Sequence, residues 1–216
     1  ALLPQVLQQI AATNPQLIVA RKTVPAKDLK ELIAWLKANV ATATQGTAGH
    51  GSGSHVSGVY FQSITGTKFQ FVPYRGAGPA MQDLVAGQID IMIDQAANSI
   101  PQVHAGTIKA YAVTSPARLD VLKDIPTAVE AGLPGFEVGI WHGIYTPKGT
   151  PAEINERLSK SLQVALKDPN VAARFAELGT APSSDAEATP AALKAKLESE
   201  IARWKPVIEA AGQYAD

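Results

Sequence analysis

An open, mostly parallel α/β sheet is the fold class that this sequence predicts, and three observations predict it. From residue 17 to residue 114, short apolar runs alternate with segments of helical period. Each run feeds a brief turn rich in Gly, Pro, Ser or Asn, as strands of a wound sheet do. Hydrophobic residues make up 46% of the 216, ample for a buried core in one large domain or two small ones.

The elements follow in chain order. Residues 1–13 give a short amphipathic piece after Pro4, and Gln16 to Arg21 is a continuous apolar run that reads as a buried strand, broken at Val24 and Pro25. Lys27 to Asn39 is a helix whose stripe is Leu29, Leu32, Ile33 and Leu36. Ala41 to Gln45 passes as a strand end. Gly46, Gly49, Gly51 and Gly53 then fall within eight residues, before a serine-opened helix carrying His55, Val56, Val59, Tyr60 and Ile64 and stopped by Gly66.

Lys68 to Val72 is a strand, residues 73–79 form a second glycine-bearing turn, and Ala80 to Ala86 is a short helix closed by Gly87. Ile89 to Ile93 is a strand ending at Asp94. A helix over Ser99 to Ala105 and a strand over Ile108 to Thr114 follow. Ser115 to Gly135 reads as a crossover with a short helix near Thr127 to Ala131, and Phe136 to Tyr145 as a strand. Thr150, Pro151 and Glu153 then spell N-cap, N1 and N3 of a helix striped by Leu158, Leu162 and Leu166. Helices over Val171 to Leu178 and Pro190 to Ala211 complete the chain, the last with Leu193, Leu197, Ile201, Trp204 and Ile208 on one face.

Composition excludes several function classes. Lys plus Arg and Asp plus Glu number 19 each and are scattered, so no global field recruits nucleic acid or an anionic membrane. Aromatic residues are 6%, too few for an extended base-stacking surface. Without cysteine there is no disulfide framework, thiolate nucleophile or cysteine metal site. No apolar run reaches the length of a membrane span. Ala1 begins mid-pattern with no basic n-region, as in a mature form whose signal peptide has been removed or a truncated one.

The chemistry concentrates at the strand-to-helix turns. Glycines let backbone approach a ligand closely, and a helix N-terminus offers unpaired N–H groups and partial positive charge, a site for a carboxylate or phosphate. The alternative is a solvated connection with a serine cap and no ligand. Named nucleotide and hydrolase motifs fail. The third position after Gly49 and Gly51 is Ser54, neither Ser52 nor Ser54 sits in a nucleophile elbow, and no Walker lysine follows.

In a wound sheet, ligands sit beyond the carboxyl ends of the strands. Three turns project there: residues 46–54, residues 74–79 and the segment from Asp94 to Ser99. Tyr74 offers a hydroxyl and Arg75 a charge, which can clamp a carboxylate or pair with a neighbouring acid. Asp94 can hold a ligand's donor group or cap the next turn. His50 reads as ligand-facing and His55 as a packed, hydrogen-bonded histidine. Neither makes a metal motif with the other. A Ser, His and Asp94 triad can be written down, but no spacing favours it. No catalytic residue, metal or cofactor is expected.

Several segments occur together in one order: TAGHGSGSH at 47–55, VPYRGAGPAMQDLVAGQIDIMID at 72–94, PQVHAGTIKAYAVT at 101–114 and DIPTAVEAGLPGFE at 124–137. WHGIYTPKGTPAEI at 141–154 and IARWKPVIEAAG at 201–212 complete the set. Their order and spacing resemble the Bug family, the extracytoplasmic solute-binding receptors of tripartite tricarboxylate transporters. The likeness runs from about Asn14 to the C-terminus.

That resemblance implies a two-lobed periplasmic-binding-protein fold of the Venus-flytrap kind, binding a small organic acid between its lobes. It implies that residues 25–115 form one complete lobe, and that 1–24 with 116–216 belong to the other. The family's ligand loop maps onto Thr47, Ala48, Gly49, Gly51, Ser52 and Ser54. Its second turn maps onto Tyr74, Arg75 and Gly76 through Gly78, and its strand-ending acid onto Asp94. Family members also begin with a first strand and a Gly-Gly turn that these residues do not contain, so the first strands of one lobe are expected to be missing.

The resemblance further implies a periplasmic protein that is not an enzyme, for which transmembrane transporter subunits are possible partners; a monomer is the default oligomeric state. The rival readings are a serine-dependent α/β hydrolase and an orphan ligand-sensing module.

Overall fold

The computed structural model describes the backbone of residues 5–212 and the side chains of residues 11–212, and the chain divides into two compact units. One runs from Pro15 to Ile140 and takes in the segment from Val207. The other holds residues through Asn14 with Trp141–Pro206.

The first unit is built on strand β1 (Gln5–Arg21), whose apolar second half enters it. Helix α1 (Leu29–Ala38) starts where Asp28 accepts the Glu31 amide and Glu31 accepts the Lys27 amide, a reciprocal cap. Strand β2 (Thr44–Thr47), helix α2 (Gly53–Thr65), strand β3 (Gln70–Pro73) and helix α3 (Ala77–Ala86) follow. Then come β4 (Ile91–Gln95), α4 (Ala96–His104) and β5 (Ile108–Val113). The expected rhythm of strand and helix is therefore present.

The strand order is β3-β2-β4-β1-β5. β2 is parallel to β3 and to β4, whereas β1 is antiparallel to both β4 and β5. Four strands thus share one direction and β1 runs against them, so the sheet is mixed. The assignment of residues 1–24 and 116–216 to a separate lobe does not match these units. Leu17 to Ala20 are fully buried and hydrogen-bonded along both edges, which fixes them in the sheet of the glycine-rich turn.

Alternation along β1 sorts the helices onto two faces. Leu17 and Val19, with Met92 of β4, form one apolar core with Ala80, Met81 and Leu84 of α3 and Ala96 and Ile100 of α4. Gln16 points the other way, where its Oε1 accepts the hydroxyl of Ser57 on α2. On that face Phe61 lies edge-on to Phe136 and tilted against Phe69, and Phe69 lies edge-on to Phe71.

Between Ser115 and Gly135 the expected short helix near Thr127 is a single capped turn. Thr127 and Glu130 exchange side-chain and backbone bonds, and Gly132 at φ +87° turns the chain away before a second turn can form.

The second unit contains the first half of β1, most of β6 (Gly139–Pro147) and β7 (Ala181–Pro182), with β6 and β7 both paired to β1. Residues 1–13 were expected as an amphipathic piece. From Gln5 they are part of this long strand, and residues 1–4 lie outside the described residues. Helices α5 (Ala152–Leu166) and α6 (Pro169–Glu177) and most of α7 (Pro190–Ala210) complete the unit. The predicted Thr150 capping box is absent: Pro151 takes the N-cap position, and the Thr150 hydroxyl donates instead to the Pro147 carbonyl. Among the described residues, no helix is long and apolar enough to cross a membrane.

Helix α2 approaches the sheet so closely that Gly58 has no room for a side chain. A Cβ there would lie 2.4 Å from Gln45 Oε1 and 2.7 Å from the Phe71 ring. Gly58→Ala is therefore expected to destabilise the protein by about 1–3 kcal/mol through overpacking, read as a lowered midpoint in urea unfolding.

Candidate functional site

The parallel pairing of β2 with β3 and β4 carries the C-terminal ends of all three strands to one edge of the sheet. The chain leaves β2 into α2 on one face and β4 into α4 on the opposite face, so this edge is a topological switch point, where ligands of wound sheets sit in general. Residues 48–52, the turn after Pro73 and the junction from Asp94 to Ala96 meet there.

The loop after β2 is held by its own side chains. Ser52 caps α2 by accepting the His55 amide at 3.3 Å, and its hydroxyl donates to the Gly49 carbonyl at 2.6 Å. Ser54 Oγ accepts the Ala48 amide at 2.9 Å. The two serine oxygens lie 3.1 Å apart. Because the Ser52 hydrogen goes to Gly49, any bond between them takes its hydrogen from Ser54. Thr47 is buried, with its hydroxyl 3.4 Å from the Gly49 amide that it accepts. Gly51 donates its N–H to His55 Nδ1 at 3.1 Å. Gly49 at φ +118° and Gly51 at φ +71° adopt backbone that favours glycine, and Gly49 also passes close to the Tyr74 carbonyl.

The amides of Gly53 and Ser54, at the opening of α2, have no earlier carbonyl of the helix to bond. The helix dipole gives this end partial positive charge. Gly76, at φ +119°, is the N-cap of α3 without a side-chain cap, so a second helix N-terminus opens at the same edge.

Two expected ligand groups are committed within the protein. The Tyr74 hydroxyl donates to Asp83 Oδ2 at 2.7 Å. Loss of solvent, then the Asp83 hydrogen bond and charge, push the phenol up to about 12, so it keeps its proton and braces α3. Asp94 is buried at 2% exposure, and its Oδ2 accepts Asn98 Nδ2 at 2.6 Å and Ser99 Oγ at 2.9 Å. Burial pushes its carboxyl above the usual range, against the lowering effect of Asn98, Ser99 and the Gln95 backbone. Asp94 thus ties β4 to the start of α4. Arg75 and His50 are exposed, and the His50 ring stands edge-on to that of His55 at 5.4 Å.

The triad that can be written from the sequence is not assembled. Ser52, His55 Nδ1 and Asp94 are bonded to Gly49, to Gly51, and to Asn98 with Ser99 respectively. Among the described residues, no group of three or more His, Asp or Glu is placed to hold a metal ion. Sequence reasoning left out Gln45, fully buried beneath α2, whose Nε2 donates to the Ser54 carbonyl at 2.9 Å. It also left out the bond from Gly51 to His55, for which the four-residue spacing at a helix start was the available signal.

The profile of the tripartite tricarboxylate transporter family receptors matches residues 4–213. A UPF0065 protein of Agrobacterium vitis is 49% identical over 199 residues, which is 92% of this chain and 58% of the relative. The structure of periplasmic binding protein BugD is similar at a TM-score of 0.91 and 39% identity, covering 96% of this chain and 69% of that one. MatC of Rhodopseudomonas palustris with bound malate is similar at a TM-score of 0.91 and 36% identity, over 94% of this chain and 69% of that one. The chain therefore spans about six tenths of its Agrobacterium relative's length.

A carboxyl raised by burial contributes stability below its unfolded value and loses it as pH rises through the folded one. Asp94→Asn removes that dependence. Relative to wild type, the variant is expected to gain stability as pH rises from about 4 to neutrality, measured by urea unfolding at a series of pH values.

Proposed function

We infer that this chain, which belongs to the tripartite tricarboxylate transporter receptor family, is an extracytoplasmic solute-binding protein that captures a small organic acid. The observation that carries the reading is the pair of open amides at Gly53 and Ser54, at the N-terminus of α2 and beyond the carboxyl ends of β2 and β4. They donate to the ligand's carboxylate, with the Ser54 hydroxyl hydrogen free to turn from Ser52 to the ligand. Ala48, Gly49, Gly51 and Ser52 give the loop its shape, Thr47 anchors it, and Tyr74 and Asp94 hold the flanking helices α3 and α4. His50, Arg75 and Gly76 line the rim and tune which acid is preferred.

The acid malate, bound by MatC, falls in the class proposed here. The protein works in the periplasm as a monomer, hands its ligand to transmembrane transporter subunits, and performs no catalysis. No observation favours the hydrolase, since the Ser52 hydroxyl donates to the Gly49 carbonyl and His55 Nδ1 accepts the Gly51 amide rather than a serine hydroxyl.

Thermal unfolding against mono-, di- and tricarboxylates, amino acids and aromatic acids tests this. An acid of the right class at about 100 times its dissociation constant is expected to add about 2.7 kcal/mol to native stability, seen as a raised midpoint. Gly49→Val, which strains the φ +118° backbone, is expected to abolish the shift. A panel that leaves the midpoint unmoved for every acid removes the reading.

A further inference from the structure

We propose that His55 is a positioning residue for the carboxylate site: its imidazole pins the glycine loop in the turn that leaves the Gly53 and Ser54 amides open. The proposal rests on the receptor reading above. Residues 49–53 contain three glycines, the residues with most backbone freedom to lose on ordering. His50 between them is exposed, with its ring edge-on to that of His55. A loop of this composition holds one shape only if it is tied at several points.

Two of the ties are local, since the amide and the hydroxyl of Ser52 both reach the Gly49 carbonyl. The bond from the Gly51 N–H to His55 Nδ1 at 3.1 Å differs, because the acceptor ring is itself anchored to the sheet. His55 is 5% exposed and stands edge-on to Phe71 of β3 at 4.7 Å between ring centres. Its own amide donates to Ser52 Oγ, so backbone and ring of one residue clamp the turn from both sides. The bond also takes the Gly51 amide out of the ligand's reach and sets the peptide at φ +71°, which places Gly53 and Ser54 at the start of α2.

An acceptor at Nδ1 requires the unprotonated nitrogen there, with the ring hydrogen on Nε2. Asparagine offers an oxygen at nearly the same position, whereas leucine offers volume without an acceptor and glutamine carries its oxygen one bond further out. A preorganised loop improves affinity by removing ordering cost before the ligand arrives.

The experiment is calorimetric titration of malate, and of whichever acid gives the largest unfolding shift, into wild type, His55→Asn, His55→Leu and His55→Gln. Hydrogen exchange of the Gly51 amide is followed in parallel without ligand. His55→Leu is expected to bind about tenfold more weakly and to lose protection at Gly51, and His55→Asn to recover both. If His55→Leu fails to fold, Asn against Gln gives the same comparison, with Gln expected to be the weaker. Leucine or glutamine binding as tightly as wild type while the Gly51 amide exchanges freely overturns the proposal and leaves the receptor reading intact. A wild type that binds no acid overturns the reading, and the positioning role with it.

Discussion

The second half of β1 is the constraint on which the rest depends. Leu17 to Ala20 are fully buried, so their backbone groups have no water to bond and need strands on both sides. β4 and β5 supply them, and this central position settles where everything else can go. Leu17 and Val19 define the face that α3 and α4 cover. Gln16, one residue earlier, defines the other. It accepts Ser57 of α2, sends its Nε2 to the Ile93 carbonyl and gives its amide to Thr114 Oγ1, whose hydroxyl bonds the Val138 carbonyl. A buried glutamine with these partners costs little and sets the rotation of α2 about its axis. Since α2 begins at the candidate site, the core and the site share one register.

Magnitudes favour backbone over side-chain charge at that site. A hydrogen bond to a charged group contributes about 1.5–3 kcal/mol, and two amides at the head of α2 are already in place. An exposed arginine pair contributes about 0–1 kcal/mol, which is the regime of Arg75. The buried charge of Asp94 is used within the protein, where three donors offset part of its desolvation. The loop's hydroxyls and the imidazole are bonded within the loop, and α2 leaves the Gly53 and Ser54 amides without a helical carbonyl partner.

The helices of the second unit show how far periodicity reaches. Leu158, Leu162 and Leu166 share a face of α5, yet Leu158 is 42% exposed and Leu166 is buried. On α7 the stripe from Leu193 to Ile208 includes Leu193 at full burial and Ile201 at 46% exposure. Spacing states which side of a helix is apolar. Whether that side is covered depends on what packs against it.

By itself the sequence determined the local order: the alternation of strands and helices, the glycine turns, and the open helix start at residues 46–54, because period, composition and cap chemistry act within a few residues. Six segments in one order also carried the family resemblance. The tertiary structure alone decided the direction of β1, since an apolar run reads the same whether its neighbours lie parallel or antiparallel. It likewise decided that Tyr74 and Asp94 bond Asp83, Asn98 and Ser99, because a polar side chain at a strand end finds its partner only when the following helix is laid down. And it decided that His55, plain core histidine by pattern, reaches back one turn to Gly51.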